Sequence, residues 1–154
     1  MTVLIDTNVV IRHLTGQPPD QGRAASLFLK KTDGLLLTDV IAVEIVHVLK
    51  SVYKTHPGTI VTAMRALLAM RSVTSEHPQV IQRTIDLYEA HHMDFTDAYL
   101  VAVAEASGID QVASFDEGID KAVRHASKVT RLDPIQAVGL HSPTSTMAPG
   151  NPAR

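Results

Sequence analysis

The stretch VLIDTNVVI, residues 3–11, joins an apolar run to an acid and then to the start of a helix. Val3, Leu4 and Ile5 continue the run that begins at Thr2, and β-branched and leucine side chains in so short a block favour a strand. Asp6, Thr7 and Asn8 each carry an oxygen able to accept from a free helical N–H, and Val9, Val10, Ile11 and Leu14 then recur at helical spacing. A strand that ends in an aspartate and turns at once into a helix is the opening of an α/β fold. In an open parallel sheet, functional groups collect at that carboxyl end.

The alternation continues outward from this segment. After the break at residues 16–19, residues 20–31 have helical spacing through Ala24, Leu27 and Phe28, and Asp33-Gly34 turns into a strand at Leu35-Leu36-Leu37. Asp39 is placed to cap a helix over residues 40 to about 54, and a second helix runs from about 57 to 70 before a short strand near Val73. Pro78 suits the first turn of a helix reaching His91. Residues 94–107 form another, closed by Gly108. Strands over 111–114 and 129–132 flank a short helix at 117–124. The expected architecture is an α/β/α sandwich whose central sheet is mainly parallel, has about five strands and is covered on both faces. Residues 1–140 form the domain, and 141–154, rich in Pro, Ser, Thr and Gly without apolar periodicity, are expected to be a mobile tail.

At 154 residues with 45% hydrophobic content, the chain can fill one sizeable core. It has no cysteine, so disulfides, thiolate metal sites and cysteine nucleophiles are excluded. No leader pattern precedes Val3 and no apolar run approaches the ~20 residues of a membrane span, which leads to the expectation of a soluble, cytoplasmic protein. The formal charge of −2 gives no overall basic character. Yet if four of the 16 acids serve a metal, 12 remain against 14 Lys and Arg, and a phosphate-bearing substrate is then compatible with the balance.

Four acids stand out. Asp6 and Asp116 each follow a strand, while Glu44 lies on the helix stripe with Ile41 and Val48, and Asp97 heads a stripe with Leu100, Val101 and Ala104. An ionised group buried without a partner costs several kcal/mol, so four of them against apolar sequence point to convergence on a cation. Taken singly each has an ordinary alternative: Asp6 as a helix cap, Glu44 as a lysine's partner, Asp116 as a turn residue.

Four ordered segments, VLIDTNVVI, TDVIAVEIVHVL, DFTDAYLVAVAEASG and ASFDEGIDK, give the chain its resemblance to PIN-domain ribonucleases, and specifically to the VapC toxins of VapBC toxin–antitoxin pairs. The resemblance runs from about residue 3 to 140. It implies that Asp6, Glu44, Asp97 and Asp116 form a catalytic acidic pocket that binds metal, with Thr7, Asn8 and Ser114 in supporting positions. Asp94, one turn before Asp97, is either a further water or metal ligand or the helix N-cap, and Asp120 is a weaker candidate of the same kind. The resemblance further implies an RNA substrate cut internally, inhibition by a VapB-type antitoxin, and a homodimer.

A cysteine-free carboxylate pocket suits Mg²⁺ or Mn²⁺, which take oxygen ligands. In the expected arrangement Asp6, Asp97 and Asp116 hold metal, and Glu44 holds a second ion or orients the attacking water. Aromatic residues are only 4% of the chain, so shape and phosphate contacts, with Arg12 and Lys50 as candidates, should outweigh base stacking. Three rivals differ at named positions. A haloacid-dehalogenase-like phosphatase needs a second acid where Asn8 stands, and a receiver domain needs paired acids and a later lysine. A zinc site at His91 and His92 fails because adjacent helical residues diverge. A PIN-like binding module without turnover is the remaining alternative.

Overall fold

Short parallel strands, each leading into a helix, set the architecture of the computed structural model, which describes residues 1–140; the expected tail at 141–154 lies outside the described residues. Strand β1 (Val3–Leu4) pairs with β2 (Leu35–Leu37), with Val3 opposite Leu35, and β2 pairs with β3 (Val73–Ser75), with Leu37 opposite Ser75. A second parallel ladder joins β4 (Gln111–Ala113) to β5 (Thr130–Leu132). The helices are α1 (Thr7–Thr15), α2 (Pro19–Lys31), α3 (Asp39–Ser51), α4 (Pro57–Leu68), α5 (Pro78–His91), α6 (Phe95–Ser107), α7 (Gly118–Ala126) and the short α8 (Pro134–Ala137).

The α/β class and the parallel pairing follow the sequence, but the five strands form ladders of three and two instead of one continuous sheet. Coverage is also uneven. Leu35 and Leu37 are fully buried, whereas Gln111, Ala113, Thr130 and Leu132 are exposed, so the second ladder is not enclosed on both faces. A further correction concerns α3: Thr38 is its N-cap, accepting from the Ile41 N–H at 3.4 Å, and Asp39 is already the first helical residue.

Helix packing follows the apolar stripes. In α3, Ala42, Ile45, Val46 and Leu49 turn inward; in α5, Ile81, Ile85 and Tyr88 do so, meeting Phe95, Ala98, Val101 and Ala102 of α6. Gly108 ends α6 in a left-handed conformation that a side chain would oppose, and its N–H caps the Ala104 and Glu105 carbonyls.

Gly22 of α2 packs against the cap of α1, where a methyl group would stand 2.6 Å from the Gly16 backbone. Gly22→Ala should therefore separate the two helices and destabilise the fold by roughly 1–3 kcal/mol, the range for forcing volume into a packed contact. A urea melt with a lower midpoint and an unchanged slope is the expected result; an unchanged midpoint would show that this approach is not required.

Candidate metal centre

The β1–α1 junction places the first acid. Asp6 caps α1: its Oδ1 accepts from the Thr7 N–H at 2.9 Å and its Oδ2 from Asn8 Nδ2 at 2.7 Å. Thr7 is buried, and its hydroxyl reaches across to α3, donating to Glu44 Oε2 at 2.7 Å. Thr7 thus ties Asp6's turn to Glu44, while Asn8 fixes the second oxygen of Asp6. These residues line a hollow of about 300 Å³, whose remaining wall is Ile11, Arg12, Val48, Val52 and Tyr53.

A second group of acids forms at the start of α6. Asp94 is its N-cap, accepting from the Thr96 N–H at 3.0 Å, and pairs with Lys50 Nζ at 2.9 Å. Burial alone would raise the Asp94 carboxyl, but the bonds from Lys50 and Thr96 hold it below its ordinary value. Asp97 is displaced the other way: desolvation raises it first, then the negative charges of Asp116 and Asp94, with Lys50 opposing. Lys50 itself is raised by its bond to Asp94, with Asp97 among the charges that favour its ionised form. Asp97 is therefore a half-buried carboxylate crowded by two others, and a cation there relieves the repulsion.

Asp116 sits in a turn built by its neighbours. Ser114 Oγ accepts from the Asp116 N–H at 3.0 Å, and Asp116 Oδ1 accepts from the Gly118 N–H at 2.7 Å. A side chain at Gly118 would crowd that same oxygen at 2.9 Å. Asp120 is committed elsewhere: it accepts from Arg131 Nε at 2.8 Å, and Arg131 Nη1 in turn donates to the Ser114 carbonyl at 2.9 Å. Its part in this region is to brace the Ser114 turn.

The acids do not stand where the sequence places them in depth. Asp6, Glu44 and Asp116 are exposed and Asp97 is half-buried, so the burial penalty that drew attention to them is smaller than expected. Among the described residues the three acid or imidazole groups whose ligand atoms fall within 4.8 Å of one another are Asp39, Glu76 and His77, outside the expected four. The expected acids instead fall into the Asp6–Thr7–Glu44 link and the Asp94–Asp97–Asp116 group. Mg²⁺ keeps several waters and commonly takes one or two carboxylates directly, so it does not require all four acids within ligand reach of one another.

Asp39, Glu76 and His77 escaped the sequence reading because Asp39 had an ordinary explanation as a cap and a Glu-His pair after a strand carries no spacing signal. The clue available was position: all three follow the ends of β2 and β3, as Asp6 follows β1. Asp39 Oδ2 accepts from His77 Nδ1 at 2.8 Å and from the Tyr99 hydroxyl at 3.0 Å, and Glu76 Oε2 accepts from the Asp39 N–H at 3.1 Å. Burial, then the bond to Asp39, pushes the Tyr99 phenol up to about 12, so it remains a donor.

No helix among the described residues is long and apolar enough to cross a membrane. A comparison with curated proteins found none that matches this chain. The comparison with protein families did find a match, to the PIN domain, over residues 3–124. That fold is of nuclease type, and its members are generally metal-dependent nucleases acting on RNA. With the match spanning most of its length and including Asp6, Glu44, Asp97 and Asp116, the chain belongs to the PIN domain family.

Proposed function

We propose that the protein is a Mg²⁺- or Mn²⁺-dependent endoribonuclease and the toxin of a VapBC pair, acting in the cytoplasm through a domain of residues 1–140. The observation that carries the catalytic part is Asp97, half-buried in the first turn of α6, whose carboxyl is raised by burial and then by the charges of Asp116 and Asp94, with Lys50 opposing. Carboxylates so placed fit a hard divalent cation. Bound there, the ion would lower the pKa of a water for attack on phosphorus and offset charge on the phosphate oxygens.

The chain's own groups have the remaining tasks. Asp6, Asp97 and Asp116 supply carboxylate oxygens, and Glu44 orients the attacking water or holds a second ion. Thr7 holds the Glu44 carboxylate against the start of α1, Asn8 fixes Asp6, and Ser114 fixes the turn of Asp116. Arg12, in the wall of the hollow, and Lys50, beside Asp94, are placed to meet phosphates of the RNA backbone. Val52 and Tyr53, exposed and in the wall of the same hollow as Asp6 and Glu44, give apolar surface beside the acids for the remaining two partners, a VapB-type antitoxin and a second copy of the chain.

The direct test incubates the purified protein with total RNA in Mg²⁺ or Mn²⁺, with EDTA as the control, and maps new ends by sequencing. Discrete metal-dependent ends are the expected result; RNA binding without new ends would instead support a binding module. Co-purification with the product of an adjacent reading frame, and loss of cleavage when that product is restored, tests the toxin assignment. Thr7→Val should fold but reduce cleavage by roughly 10–100-fold, as losing a group that orients a metal-site residue does. Full activity in Thr7→Val would mean that the Glu44 orientation is unimportant.

A further inference from the structure

We propose a second metal site, separate from the acid pocket and not needed for the reading above, in which Asp39, Glu76 and His77 hold a divalent transition ion such as Zn²⁺. The parallel register creates it. Leu37 lies opposite Ser75, so the residues leaving β2 and β3 emerge side by side and bring Asp39 against Glu76 and His77. Their ligand atoms lie within 4.8 Å of one another.

Proximity of acids alone would not distinguish this group from an ordinary surface network. The second observation is Asp39 itself, whose side chain is only 6% exposed and whose Oδ1 is buried with no hydrogen-bond partner. Oδ2 takes both available donors, His77 Nδ1 and the Tyr99 hydroxyl. The protein thus buries a carboxylate, satisfies one oxygen twice and leaves the other with nothing, an arrangement that a cation completes.

The donor set selects the ion. Two carboxylates and an imidazole suit Zn²⁺ or Mn²⁺, whereas Mg²⁺ prefers oxygen alone. His77 is 62% exposed at its side chain and Glu76 is also exposed, so the ion has an entry path from solvent. Coordination through Nδ1 uses that nitrogen's lone pair, so the neutral ring takes the tautomer whose one proton sits on Nε2, and no net proton is released. Tyr99 stays hydrogen-bonded to Asp39 and orients it from behind.

The test titrates Zn²⁺ into the full-length Asp97→Asn protein in excess Mg²⁺, by calorimetry and by two-dimensional NMR of the imidazole nitrogens. One equivalent of Zn²⁺ that shifts the ring nitrogens of His77 is expected. His77→Ala should lose that equivalent and Glu76→Gln should bind at least tenfold more weakly; both alter exposed side chains, and circular dichroism checks their folds. Equal Zn²⁺ stoichiometry and affinity in His77→Ala, or no shift at His77, would overturn the site and leave a hydrogen-bond network only. RNA cleavage is not a readout, so this result stands apart from that of the ribonuclease assignment.

Discussion

Asp97→Asn is expected to abolish most RNA cleavage, by roughly 10²–10⁴-fold, because losing a carboxylate that holds the metal also loses the water which that metal would activate, while leaving the metal-free protein as stable as before or more so. The second half follows from the first group's electrostatics. Burial, Asp116 and Asp94 raise the Asp97 carboxyl above its ordinary value. The folded chain then holds that proton more tightly than the unfolded chain, so stability falls as pH rises from the ordinary carboxyl range through the raised value, and the loss persists at neutral pH. An uncharged Asn removes the repulsion and, with it, this pH dependence.

Metal reverses the ranking. Mg²⁺ binding only the folded state at 100 times its Kd stabilises by about 2.7 kcal/mol, so the wild-type melting temperature should rise with Mg²⁺ and that of Asp97→Asn should not. Thermal melts of both proteins, with and without Mg²⁺, together with the cleavage assay, check all of this. Retained cleavage in a folded Asp97→Asn protein would remove Asp97 from the site. A melting temperature that falls on Asn substitution without metal would show that Asp97 is stabilised by its surroundings.

Much of this arrangement was legible because its signals are local. Pro78 begins α5, Gly108 closes α6, and Asp94 caps α6, each at or next to the position that turn and cap chemistry dictates. The strands were legible as to place, though Thr2 to Ile5 shortens to Val3–Leu4. What failed depended on tertiary structure. The separation of β4 and β5 from the first three strands leaves no trace in apolar runs, and a carboxylate on a helix stripe can lie at the stripe's border. Glu44 is exposed while its neighbour Ile45 is fully buried. The Asp39 group was invisible for the same reason: the register of β2 against β3, and no sequence spacing, unites residues 37 or 38 positions apart.

Ile85→Ala should produce the largest loss of stability among these substitutions, about 2–5 kcal/mol for truncating a large buried aliphatic residue. Ile85 is 0% exposed and lies on the α5 face that meets α6, beside Ile81 and Tyr88. Tyr88 also stands edge-on to Phe95, their ring centroids 5.3 Å apart, so the first turn of α6 rests on this same face. Asp94 and Asp97 belong to that turn. A cavity at Ile85 should therefore act on function as well as on the fold, through the depth and angle at which α6 presents its acids. Against a typical total of roughly 5–15 kcal/mol, the loss would leave a substantial unfolded population in a weakly stable domain. Urea denaturation should show a lower midpoint with an unchanged slope, and Ile85→Val, which removes only one methyl, should cost about 0.5–1.5 kcal/mol. Near-equal midpoints for Ala and wild type would mean that the α5–α6 interface collapses around the gap. Cleavage normalised to the folded fraction then separates the two consequences: a further fall in Ile85→Ala places the site's geometry under the control of this packing, and an unchanged rate confines Ile85 to stability.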